Sequence, residues 1–221
     1  MLIFRNSPAK KKEEKWWRKR RKKVDERLEH PCTISHVEDL MIAGEGPETE
    51  KRAKSRYKRT QRAMNKLVKR GLIHRIGVVE TGGRPAYVYC RRRIKLDNLE
   101  HEVKVTEFLL NFDMPIDRLN DVDPTLRPDA TMHAKGGDYH VELDEGTHSA
   151  FNAAKRLEVY QKVNATVLFI TTTTARAKNI LKRCEFLGDK LWVGLYEKVV
   201  ADPTGKVWLT PTNKVMALPV G

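Results

Sequence analysis

The sequence predicts two modules in one chain: an α+β module in the first half, then an α/β module built on a mixed sheet. Three observations predict this. Charge is divided unevenly along the chain, a long basic helical pattern runs into a glycine-turned hairpin, and the elements beyond it follow the order α-β-β-α-β-α-β.

The formal net charge is +14. Residues 1–95 hold 28 Lys/Arg against 11 Asp/Glu, a net +17, whereas residues 96–221 hold 15 against 18, a net −3. Such a split points to a basic module that meets a polyanion, nucleic acid first and a membrane surface second, joined to a near-neutral module with another task. Cys32, Cys90 and Cys184 stand far apart without a CxxC pair. That argues against a disulfide framework or a zinc finger and suggests reduced, buried thiols in a cytoplasmic protein. No apolar run reaches the length of a membrane span, and the charged start of the chain lacks the apolar core of a secretion signal.

The elements of the first half follow in order. Residues 1–19 read as a basic tail, with a charged helix from Lys15 to about His30 that Pro31 stops. Trp16 and Trp17 read as packing anchors. A short helix begins in "CTISHVEDLMIAGEGPE", and "ETEKRAKSRYKRTQRAMNKLVKRGLI" reads as one long helix. Ala53, Tyr57, Met64 and Leu67 recur at helical spacing and should face a core. Ser55, Lys58, Arg59, Arg62 and Lys66 fall on the opposite, cationic side. Gly71 is placed as a C-cap. The β-rich segments "LIHRIGVVE" and "PAYVYCR" flank "TGGR", a hairpin signal with Arg84 at its tip.

The second module is expected over residues 96–200. In "LDNLEHEVKVTEFLLNF", His101, Val105, Phe108 and Phe112 share one helical stripe. A loop with Pro115 and Pro124 leads to the strands "DATMHA" and "YHVELDE", joined by a tight turn at "KGGD". A helix from Ser149 to Val163, the strand "TVLFITTTT", the helix "ARAKNILKRCEF" and the strand "KLWVGLYEKV" complete the set. Residues 201–221 read as a Pro-rich C-terminal extension with at most one strand.

Register turns the hairpin into a site hypothesis. With Gly136 and Gly137 at the turn centre, Lys135 pairs with Asp138, Thr131 faces Glu142 and Asp129 faces Asp144. Facing residues share a sheet face, as do residues two apart, so Asp129, Glu142 and Asp144 project together while Val141 and Leu143 point to the other side. Cross-strand Cβ separations of roughly 5 Å would bring the acids within range of one divalent ion. Three like charges on one face call for a cation or a proton. The alternative is three solvated carboxylates at ordinary strand ends, and the residues alone leave both open.

Several stretches resemble known families. The order helix, helix, basic helix, hairpin resembles a winged helix-turn-helix over about residues 20–93, with "LVKRGLIHRIGVVETGGRPAYVY" carrying the likeness. This implies that the basic helix enters the major groove of double-stranded DNA while Arg84 reaches phosphate or a minor groove. The acidic loop "AGEGPETE" departs from it, since it would repel a nearby backbone. "RPDA" and "VELDEG", within a helix–hairpin–helix–strand order, resemble the PD-(D/E)xK nuclease superfamily. That resemblance implies Mg2+ or Mn2+ on Asp129 and Glu142, with the Leu143 carbonyl as a third ligand, activating water against a phosphodiester. Asp144 stands where that superfamily places a lysine. Lys155 on the next helix is the candidate replacement, and Asp144 itself a further ligand or base.

Taken with the winged helix, "LEHEVKVTEFLL", "LRPDATM", "VELDEGT" and "VLFITTT" resemble the replication-relaxation family of plasmids, phages and integrated elements, over about residues 30–195. The likeness implies a bacterial or phage-infected cytoplasm, with DNA and replication proteins as partners. The expected function is a DNA-binding protein with a metal-dependent endonuclease or nickase domain. The alternative is a non-catalytic replication initiator or regulator, or a transcription factor, that uses a degenerate nuclease fold as a binding scaffold. Symmetric double-strand cutting would need a homodimer, and no dimerisation helix is evident.

Overall fold

A computed structural model describes residues 28–33, 35–37, 50–81, 83–94, 98–112, 114–118 and 121–218. The chain is mixed α/β and divides into two compact units, Met1–Thr106 and Glu107–Gly221. The division falls inside a helix rather than at the expected residue 95. The tail and the expected helix from Lys15 lie outside the described residues up to Arg27, and Leu28–His30 form a turn and bend. Among the described residues, no helix is long and apolar enough to cross a membrane.

In the first unit, strand β1 (Cys32–Thr33), helix α1 (Glu50–Lys69) and strands β2 (His74–Thr81) and β3 (Arg84–Cys90) build a three-stranded sheet with a helix on one face. Helix α1 forms because Thr60 and Met64, four apart, are buried and Leu67 and Val68 pack beside them. It ends at Gly71, whose φ of 68° is the left-handed value a Cβ disfavours. The Gly71 amide donates to the Val68 carbonyl and the Leu72 amide to the Leu67 carbonyl, the paired bonds of a Schellman cap. Tyr57 does not join the core as expected; it is 43% exposed. Strands β2 and β3 pair antiparallel from Thr81↔Arg84 to His74↔Cys90, with a bulge between Arg75 and Gly77, and β1 adds to β3 at Cys32↔Tyr89. Leu28, Cys32, Val37, Met64, Ile73 and Tyr89 fill the α1 side, while Val79, Val88, Leu99 and Val103 fill the other.

Helix α2 (Leu99–Leu109) carries the division, and the second unit follows with a seven-stranded sheet. Its strands are β4 (Ile116–Arg118), β5 (Ala130–Ala134), β6 (Gly137–Asp144), β7 (Thr166–Thr171), β8 (Leu191–Leu195), β9 (Trp208–Leu209) and β10 (Val215–Met216), in the order β10-β9-β8-β7-β6-β5-β4. The β6-β7-β8 centre is parallel and both flanks are antiparallel. Helices α3 (Ala150–Leu157), α4 (Thr174–Arg183) and α5 (Tyr196–Ala201) connect the later strands. Ser149 caps α3 by accepting from the Asn152 amide, and Thr173 caps α4 by accepting from the Arg176 amide, each at 3.2 Å.

Four expectations change here. Strand β4 occupies part of the Pro115–Pro124 stretch that reads as loop. The α3 helix stops at Leu157 and continues as a tighter 3-10 turn to Lys162. The strand in "KLWVGLYEKV" stops at Leu195, where α5 begins. Residues 201–218 hold two strands instead of at most one: β9 and β10 pair onto the large sheet, and Trp208 is buried against Phe108, ring centroids 6.0 Å apart.

The β5–β6 register also differs. Ala134 pairs with Gly137, so the two-residue turn is Lys135–Gly136, and Thr131 faces His140. The pairing ends at Ala130↔Val141, and the Asp129 amide donates to the Val141 carbonyl at 2.9 Å, so Asp129 leaves the ladder instead of standing opposite Asp144. The slip moves the index sum by an even number, so the side of the sheet is unchanged. Glu142 and Asp144, in register with Phe169 and Thr171, still share the face covered by α3 and α4, where Ala153, Leu157, Tyr160, Phe169, Ile180 and Val193 form the core.

Candidate functional site

The acidic face of β6 is occupied by the protein's own side chains. The Tyr160 hydroxyl donates to Glu142 Oε1 at 2.6 Å, and Arg156 Nη2 donates to Glu142 Oε2 at 3.1 Å. Asp129 Oδ2 accepts from the Leu143 backbone amide at 2.7 Å, closing the strand end where β5 has run out of carbonyls. Burial first, then the Glu142 carboxylate that its hydroxyl bonds, and also the Asp129 charge, push the Tyr160 phenol far above its ordinary range. Glu142 bonds that hydroxyl directly, whereas Asp129 bonds the Leu143 amide and acts on Tyr160 through its charge. Thr131 Oγ1 and His140 Nδ1, 3.1 Å apart, continue the polar line on the same face, and burial lowers the His140 pKa.

Asp144 goes elsewhere. Arg176, from the first turn of α4, grips it through Nε at 2.5 Å and Nη2 at 3.0 Å, with both side chains 12% exposed. This two-point pairing is the strong, directional form of an ion pair. The expected lysine, Lys155, is exposed on α3 and is not the residue that meets the acids; its neighbour Arg156 is. The cation demanded by three clustered carboxylates is thus supplied twice over, by guanidinium groups.

A divalent ion on Glu142 or Asp144 would have to displace a guanidinium group. Among the described residues, no three His, Cys, Asp or Glu side chains gather as metal ligands. Leu143 contributes its amide to Asp129. Its carbonyl leaves the strand on that same side, toward β5, because the two groups of one strand residue point together.

In the first unit, Lys58, Arg59, Arg62 and Lys66 are all exposed, opposite the buried Thr60 and Met64. The Ser55 side chain lies outside the described residues. Arg84 is exposed at the hairpin end, and strand alternation sets it on the sheet face away from α1, not beside the basic helix. The three cysteines are free and buried, and burial pushes the Cys184 thiol up to about 11.

Arg156, Tyr160 and Arg176 are the site residues that sequence reasoning missed. Tyr160 follows the buried Leu157 by three positions, a helical-spacing signal that was available. The arginines carried none, because partner choice depends on how α3 and α4 lie across the sheet. No family model, curated protein or solved structure matches the chain.

Proposed function

We propose that this chain binds DNA through the first unit, with α1 as the recognition helix of a winged helix-turn-helix, and that the second unit is a nuclease-like frame serving as a scaffold. The observation that carries the reading is the exposed row Lys58, Arg59, Arg62 and Lys66 on one side of a helix whose other side is core. A cationic helix face of this kind neutralises phosphates and releases counterions. The β2–β3 hairpin beside it and the short β1 strand pairing with β3 support the same reading. So does the resemblance to replication factors of plasmids and phages, which would make replication proteins its partners. The test is duplex binding by fluorescence anisotropy at several salt concentrations. Arg62→Ala and Lys58→Ala should weaken binding, and unchanged affinity in both would reject α1 as the DNA-contacting helix.

One observation favours a second reading, metal-dependent phosphodiester hydrolysis. The charges of Glu142 and Asp129 both act on the Tyr160 hydroxyl, and the Arg156 that covers Glu142 is 61% exposed and held there by one bond. Exposed ion pairs are weak, so a divalent ion brought in by DNA could displace it. Relaxation of supercoiled plasmid in magnesium or manganese, abolished by Asp129→Ala and by Glu142→Ala, would establish this reading. Intact plasmid with bound protein would leave the scaffold.

A further inference from the structure

We infer that the first unit carries a stacking site for an unpaired nucleobase, built from Tyr57, Arg75 and Tyr87 with Val78 beside them. The inference rests on the DNA-binding reading and narrows it to nucleic acid with single-stranded character.

The site follows from register. Tyr87 and Tyr89 are two apart on β3, so both face α1; Tyr89 is buried there, whereas Tyr87, nearer the hairpin tip, is 44% exposed. Val78 pairs directly across from Tyr87 and is 52% exposed on the same face. Arg75 pairs with Tyr89, and its guanidinium lies 4.3 Å from the Tyr87 ring centroid and 6.0 Å from that of Tyr89. It is tied to the helix: Nη2 donates to Asn65 Oδ1 on α1 at 3.1 Å. Tyr57 lies seven residues, two helical turns, before Met64 and so on the same side of α1, and Met64 packs in the core with Tyr89.

Two features select the occupant. The surroundings are cationic: Lys58, Arg59 and Arg62 are exposed on the helix that supplies Tyr57. The described acid on the strip is Glu80, which is exposed opposite Pro85 one step nearer the tip and would turn phosphate away from that end. Contiguous exposed apolar surface inside a basic field fits a polyanion with flat apolar faces. A duplex hides those faces in its stack and offers only base edges. An unpaired base presents its π-face to a tyrosine ring or a guanidinium plane, and the fixed Arg75 pays no ordering cost on contact.

The test compares a short fluorescein-labelled single strand with its blunt duplex, bound to the full chain at one salt concentration. Tyr87→Ala and Tyr57→Ala should each weaken single-strand binding about 10-fold, the effect of losing one stacked base. Duplex binding should change by less than about 2-fold, since phosphate contacts carry it. Tyr87→Phe, which keeps the ring, should bind the single strand like wild type. A 2-aminopurine placed in the strand should be quenched by wild type and not by Tyr87→Ala. Unchanged single-strand affinity in both alanine variants overturns the inference, as does equal loss on both probes. Binding of duplex alone by the wild type also overturns it while leaving the DNA-binding reading intact. Binding of neither probe removes both.

Discussion

Arg176 and Arg156 both pair with acids on β6, yet their environments make them unequal. Arg176 holds Asp144 at two points with little solvent access, whereas Arg156 reaches Glu142 once from a largely exposed position. Removing one partner of a buried pair strands a charge, at about 3–5 kcal/mol; an exposed pair contributes about 1 kcal/mol or less. Arg176→Ala should therefore lower the urea unfolding free energy by about 3 kcal/mol or more, and Arg156→Ala by less, because the buried Glu142 keeps the Tyr160 hydroxyl as a partner. Adding Asp144→Ala to Arg176→Ala should recover much of the first loss; equal losses for the two arginines would reject this ranking. His133 offers a second residue-scale prediction. It sits between Asp117 on β4, 3.0 Å from Nε2, and Asp138 on β6, 2.9 Å from Nδ1. Hydrogen bonding to Asp117 and then Asp138 raises its pKa above 6.5 against a smaller opposing burial effect. A raised folded-state pKa stabilises fully below the unfolded value and stops doing so as pH climbs through the folded one. The urea midpoint should fall from about pH 6 to about pH 8, and His133→Asn should flatten that fall. All three groups are partly exposed, so solvent screening keeps the effect small.

At the scale of the element, β8 passes into α5 without a loop, and Gly194 makes this possible. A Cβ there would collide with Val199 Cγ1 and lie 3.0 Å from the Trp208 ring, so the strand, the helix and the buried tryptophan meet on a bare backbone. Gly194→Ala should cost about 1–3 kcal/mol by overpacking, read as a lower thermal midpoint with reduced near-ultraviolet dichroism from Trp208. If stability were unchanged, the close approach would be wrong. The same junction shows where sequence reading stops. "LWVGLYEKV" is apolar and β-branched enough to read as one strand, and the helical turn in it is set by packing of Val199 rather than by local preference. Strand β4 has three residues, too few to show an alternation, and is recognisable only by its pairing with β5. By contrast, α1, the glycine cap and the β2–β3 hairpin were legible, because each rests on spacing or on one residue's backbone freedom. The acids were half legible. The shared face of Glu142 and Asp144 survives an even register slip, but their partners sit on helices whose placement across the sheet no local pattern encodes.

On the scale of the whole molecule, the division of charge makes a claim about where salt dependence resides. The first 95 residues carry +17 and the remainder −3, so the far-field attraction for a polyanion originates in one half of the chain. Charges separated by more than about 10 Å are screened at moderate ionic strength, so bound phosphates sense the side chains beside them. Each phosphate contact contributes about −0.9 to the slope of log affinity against log salt. Lys58, Arg59, Arg62 and Lys66, one phosphate each, would give about −3 to −4. Arg62→Ala should make the slope shallower by about 1. Lys178→Ala and Lys182→Ala remove equally exposed cations from α4 in the second unit and should leave the slope where it was. The comparison separates a docking surface from general positive charge, because every variant changes net charge by the same single unit. A slope altered as much by Lys178→Ala as by Arg62→Ala would move the DNA contact to the second unit, and α1 would then be a solvated helix face with no part in it.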